Sequence, residues 1–167
     1  MTDGISSRDF KNKDHKNVRY DASIKSSKVL NFEWFDQGDF PDNKMDSIPL
    51  IEVVKFIENA KDRIKPTLIY THSASDLNID HRIVSQATLT AFRPQPDEEW
   101  EEIRTFEVPS ATDFAHKSIT NSFSPNLYID IKEKWENKLC ALKAYSIEMR
   151  KFPHSRSLEG VENLARY

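Results

Sequence analysis

Glycine sets the first limit on this chain. Only three are present in 167 residues, Gly4, Gly38 and Gly160, each far from the others. A Walker loop and a G-x-G-x-x-G turn both need clustered glycines to wrap backbone around phosphates. Nucleotide cradling of that kind is excluded. A packed core is still within reach, because 38% of the residues are hydrophobic and 11% aromatic. The length suits one domain, since domains cluster at ~100–150 residues.

Charge and cysteine content narrow the class further. Twenty-four Lys+Arg stand against 27 Asp+Glu, a formal net charge of -3 with no basic block. That balance argues against nucleic acid or an anionic lipid surface as the main partner. The single cysteine, Cys140, rules out a disulfide framework and a Cys-based zinc site, and fits a reducing compartment. No apolar run approaches the ~18–20 residues of a membrane span, and the polar start MTDGISSRDF is no signal peptide. A cytoplasmic protein is expected.

The first half alternates helix-like and strand-like segments, the mark of an α/β sheet. A helix is expected over Arg19 to Leu30 and a short strand over Phe32 to Phe35. The turn-rich QGDFPDNKMDS follows, in which Asp46 or Ser47 can cap the next helix with Pro49 in its first turn. Val53, Ile57, Ala60 and Ile64 make that helix's apolar stripe, and Lys65-Pro66 ends it. Thr67 to Thr71 reads as a buried strand, and Arg82 to Phe92 as a helix stopped by Pro94 and Pro96. In the second half, strands are expected over Glu102 to Val108 and Leu127 to Ile131. Helices are expected over Glu133 to Met149 and Ser157 to Tyr167, the last opening on Ser-x-Glu.

In open α/β sheets, ligands bind beyond the carboxyl ends of the strands. The segment THSASDLNIDHR occupies such a place, between a strand and a helix, and holds His72, Asp76, Asn78, Asp80, His81 and Arg82. Neutral imidazole is a common zinc ligand, and a neighbouring carboxylate can fix its tautomer. The plainer reading makes Asp80 a helix cap and the histidines surface residues. A calcium loop is excluded, because His81 replaces the required glycine and Ala87 stands where the glutamate belongs.

THSASDLNIDHR, with TDGISSR before it and PHSRS after it, resembles the LmbE/PIG-L family of zinc-dependent N-deacetylases, bacterial type. FPDNKMDSIPL, FEVPSATDF, FSPNLYIDI and RKFPHSRSLE look like further family blocks, so the resemblance covers nearly the whole chain. It implies a Rossmann-like, mostly parallel α/β sheet flanked by helices. It also implies hydrolysis of an acetamido group on an N-acetylglucosamine-like sugar or glycoconjugate. His81 matches the family's zinc ligand from this loop. Asp80 matches the carboxylate that orients a histidine serving as acid or oxyanion donor. That histidine's usual position is here Asn78, so either Asn78 supplies a hydrogen bond or His72 takes over the proton work. Arg8, Asp42, Arg82, His154 and Arg156 are the further candidates for holding substrate. Asp42 resembles the aspartate that binds sugar hydroxyls, and Arg156 suits an anionic leaving portion.

The family's other two ligands and its general base lie in an A-H-P-D-D-E motif, which this sequence lacks. Gln95-Pro96-Asp97-Glu98-Glu99 is no substitute, because no histidine precedes Pro96. A single domain is expected, without the family's first strand–helix unit of ~30 or more residues, with Met1 internal and a further loss after Tyr167. One ligand does not make a catalytic zinc site, so the chain alone is expected to be inactive. Two alternatives remain: a non-catalytic sugar-binding or interaction protein, and a hydrolase working through His72, Asp80 and His81 alone.

Overall fold

The computed structural model describes residues 1, 2, 4, 13–118 and 121–166. They fall into two compact units. One holds the described residues of 35–124 with 1, 2 and 4; the other holds those of 13–34 and 125–166.

The first unit is α/β. Strands β1 (Leu68–His72) and β2 (Glu102–Phe106) pair in parallel, from Leu68 opposite Glu102 to His72 opposite Phe106. Parallel strands need a crossover, and helix α3 (Ile79–Ala91) supplies it. An isolated parallel bridge joins Thr2 to Phe40, whose N–H donates to the Met1 carbonyl at 3.0 Å.

Helix α2 (Leu50–Ile64) lays Val53 and Val54 into a buried cluster with Met45, Ala87, Ala91 and Phe92. Ile69 and Ile103 of the two strands pack against it. Leu68 and Tyr70, on the other face of β1, are exposed, where the sequence suggests a buried strand. Ile64, the last member of the expected stripe, is also exposed. Asp46 and Ser47 do not cap α2; they form a 3₁₀ turn, Met45–Ser47, and Pro49 takes the capping position. Lys65 ends the helix in the left-handed conformation (φ 50°, ψ 59°), its N–H donating to the Lys61 carbonyl. Pro66 then bars continuation.

The second unit is helical: α1 (Lys13–Leu30), α4 (Trp135–Ala144) and α5 (Leu158–Arg166). Helix α1 begins earlier than its pattern suggests and packs against α4. It buries Ala22, Ser23, Ser26 and Ser27, and α4 buries Ala141. The hydroxyls of Ser23 and Ser27 donate to the Tyr20 and Ile24 carbonyls at 2.7 and 3.0 Å, which removes the cost of burying them. Helix α4 stops at Ala144 rather than Met149. Beyond it, turn bonds from Tyr145 to Leu142 and from Glu148 to Tyr145 replace the helical ladder. Ser157 caps α5, its Oγ accepting the Gly160 N–H at 2.9 Å.

Two expected strands do not form. At 32–35, Trp34 Nε1 donates to the Ser23 carbonyl at 3.4 Å and the Phe32 ring meets Trp34 edge-on. At 127–131, Leu127, Tyr128 and Ile129 are exposed. A strand needs a paired ladder, and among the described residues no strand flanks either segment. Among these residues, too, no helix is long and apolar enough to cross a membrane.

Candidate functional site

Strand β1 delivers His72 at its carboxyl end, and the first turn of α3 presents Asp80 and His81. The loop between them is held by its own polar groups. Asp76 Oδ1 accepts the Asn78 N–H at 2.8 Å, and Ser73 Oγ accepts the Ser75 N–H at 3.0 Å; both are side-chain turns that fix a loop without secondary structure. Arg82 folds back and donates from one nitrogen to the Asp76 and Leu77 carbonyls at 2.8 and 2.7 Å. Arg82, a candidate for holding substrate, thus closes the loop. Asn78, another candidate, is the N-cap of α3: its Oδ1 accepts the Asp80 N–H at 2.8 Å. This cap starts α3 three residues earlier than the apolar pattern indicates.

Inside the loop the two histidines lie face to face. Their ring centroids are 3.8 Å apart and their planes 8° from parallel. His81 Nδ1 lies 2.8 Å from Oδ2 of Asp76, whose side chain is fully buried. His72 Nδ1 is buried and has no hydrogen-bond partner. Burial first, then the adjacent His81 and the first amino group of the chain, lower the His72 pKa to about 4, against the opposing effect of Asp76. His72 is therefore uncharged at neutral pH.

The carboxylate that holds a histidine is Asp76, to which sequence reasoning assigned no role beyond membership of the loop. Asp80 does something else. Its Oδ2 accepts the Asn43 N–H at 2.6 Å and its Oδ1 the Met45 N–H at 3.0 Å. Both oxygens go to the backbone of the preceding loop, which carries Asp42. Asn78 Nδ2 donates to Asn43 Oδ1 at 3.2 Å, joining the same two loops. The structure thus brings Asp42, Asn78 and Asp80 into one neighbourhood, next to His72, Asp76 and His81. No spacing rule links Asp76 to His81 in the sequence. The signal lies in the turn that brings a residue five positions earlier back onto the ring.

Arg8 is outside the described residues. His154 and Arg156 belong to the second unit. There, His154 Nδ1 accepts the Arg156 N–H at 3.0 Å, and the Arg156 guanidinium lies 3.7 Å from the Glu148 carboxylate.

Ligand atoms of His72, Asp76 and His81 come within 4.8 Å of one another. Zinc takes imidazole nitrogen and carboxylate oxygen at about 2.0–2.2 Å, along in-plane lone pairs. Two parallel rings 3.8 Å apart cannot both point such lone pairs at one ion. The three side chains therefore do not surround an ion in this arrangement. His81 by itself fits a metal: with Nδ1 engaged by Asp76, its Nε2 is the nitrogen left to donate.

The family model described as PIG-L, GlcNAc-PI de-N-acetylase, matches residues 1–92, more than half of the 167. The chain belongs to that family. Membership implies a deacetylase, hence hydrolase, chemistry of the zinc-dependent kind. The match takes in β1, the loop and α3, and so all of His72, Asp76, Asp80 and His81. FEVPSATDF, FSPNLYIDI and RKFPHSRSLE lie beyond it. Comparison with curated proteins and with solved structures gave no match.

Proposed function

We propose that this chain serves the removal of an acetyl group from an N-acetylglucosamine-like sugar or glycoconjugate, and that its 167 residues alone are inactive or nearly so. The observation that carries the reading is the family match across the loop in which Asp76 leaves His81 Nε2 as a donor. His81 holds the metal. When bound, zinc supplies a Lewis acid for the amide carbonyl and lowers the pKa of a bound water.

The remaining roles follow from position. Asp42 accepts hydrogen bonds from sugar hydroxyls, on the loop that Asp80 anchors. Asp80 is a positioning residue, and Asn78 and Arg82 keep the loop in shape beside bound sugar. His72, uncharged at neutral pH and a weak base because burial lowers its pKa to about 4, takes the histidine's place as a hydrogen-bonding group. Arg8, His154 and Arg156 stay substrate-binding candidates on the resemblance of the sequence blocks TDGISSR and RKFPHSRSLE alone. The lone Cys140 supports a cytoplasmic setting.

Inactivity of the chain alone has a geometric basis. The sequence contains no A-H-P-D-D-E, the block that carries the family's general base. The two carboxylates of the loop serve as anchors instead, Asp76 for the Asn78 N–H and His81, Asp80 for the Asn43 and Met45 N–H groups. The same observation favours the second reading, a sugar-binding protein without catalysis.

The test places a family A-H-P-D-D-E segment ahead of Met1 and measures acetate release from an N-acetylglucosamine glycoside. The chain alone should release none. The fusion should release acetate and lose that activity with a chelator or with His81→Ala. Release that survives both treatments refutes the reading. Saturable sugar binding without release selects the non-catalytic one.

A further inference from the structure

Asp76 is at 0% exposure, and a buried carboxylate is costly unless its oxygens are satisfied. They are, and by two different kinds of group. Oδ1 takes the Asn78 N–H, which fixes the carboxylate relative to the start of α3. Oδ2 meets His81 Nδ1 at 2.8 Å. A carboxylate only accepts, so the shared hydrogen sits on Nδ1, and the neutral ring carries its lone pair on Nε2. His72, stacked 8° from parallel, restricts rotation of the same ring. One imidazole therefore has both its tautomer and its plane determined. The Asn78 N–H could be met by any short polar side chain; the bond to the ring is where a carboxylate adds donor strength.

We propose that Asp76 is a positioning residue that presents His81 as a metal donor through Nε2. The inference deepens the metal-hydrolase reading and rests on it for the identity of the ligand.

The experiment uses the metal-free 167-residue chain with ¹⁵N-labelled histidine, followed by ring-nitrogen NMR and zinc titration. The wild-type His81 should show the Nδ1–H form. Asp76→Ala should shift it to the Nε2–H form, while Asp76→Asn, whose amide oxygen still accepts, should keep Nδ1–H. A purely structural role would not move the tautomer. Zinc should shift the Nε2 resonance, and Asp76→Ala should need ~10–100-fold more zinc for the same shift, the usual loss of an outer-sphere partner. An Nε2–H form in the wild type overturns the inference even if Asp76→Ala fails to fold. Zinc bound at Nε2 with a tautomer indifferent to Asp76 overturns the inference and leaves the family reading standing. Zinc that moves no His81 nitrogen in the Nδ1–H wild type overturns that reading and the inference with it.

Discussion

Asp80 Oδ1 accepts the Met45 N–H at 3.0 Å, from a residue with no exposure in the centre of the first unit's core. The other oxygen takes the Asn43 N–H at 2.6 Å. One carboxylate at the start of α3 thus ties the loop carrying Asp42 to the packed interior. The family resemblance implies a histidine as its partner; in the structure its oxygens meet two backbone amides.

Removing that carboxylate should cost stability before it costs chemistry. Asp80→Ala leaves the buried Met45 N–H unsatisfied at ~1–3 kcal/mol and removes the bond to the exposed Asn43 at ~0.5–1.5 kcal/mol, so a loss of about 1.5–4.5 kcal/mol is expected. Asp80→Asn keeps one acceptor, turned to the buried Met45 N–H, and should lose less than Asp80→Ala. Denaturant midpoints measure both, and a change below about 0.5 kcal/mol for Asp80→Ala, the scale of a neutral surface substitution, would show that the amides have another partner.

Asn78 separates capping from sugar contact. Asn78→Ala should destabilise by ~0.5–2 kcal/mol through loss of the α3 cap, and Asn78→Ser should restore most of that. Equal stability of the alanine and serine variants, read by thermal unfolding, would contradict the capping role.

Gly160 lies in the first turn of α5, where helix propensity favours alanine by up to ~1 kcal/mol. Space decides otherwise. A Cβ there would meet the His154 and Ser155 carbonyl oxygens at 2.8 Å, and backbone cannot swing away as a side-chain tip can. Gly160→Ala should destabilise by ~1–3 kcal/mol, the usual cost of overpacking. A gain in melting temperature would contradict the tight turn at 154–157.

His72 gives the metal-free chain a pH dependence with a definite sign. Its pKa is lowered from 6.5 to about 4 by burial and by His81. Between those values the unfolded chain binds more protons than the folded one, so this contribution to stability is lost as pH falls from 6.5 through about 4. Above 6.5 it should not vary with pH. The His72 ring-proton shifts should titrate near 4; a midpoint at 6.5 would place the ring in water.

Legibility in the sequence followed local physics. The Lys65-Pro66 stop and the Ser157 cap depend on neighbours in the chain and are readable there, whereas the strand expected over Glu102 to Val108 ends at Phe106, opposite the last paired residue of β1. The aromatic run at 32–35 and the alternating Leu127, Ile129 and Ile131 look like strands, but pairing is a property of the neighbour, which a segment's own pattern does not contain. The site divides in the same way. His72, Asp80 and His81 stand out by type and place in THSASDLNIDHR, whereas the partners of Asp76 and Asp80 are set by two turns and a loop 35 residues away in the chain. Helix α3 shows this most directly: Asn78 reads as a substrate contact in the motif and acts as its N-cap in the structure.

The most direct measurement is a crystal of the chain soaked in zinc, with an anomalous difference map at the zinc edge. The account predicts its strongest peak about 2.0–2.1 Å from His81 Nε2, with Asp76 still bonded to Nδ1. Peaks confined to surface carboxylates, with none at His81, would contradict the assignment of this loop as a metal-hydrolase site.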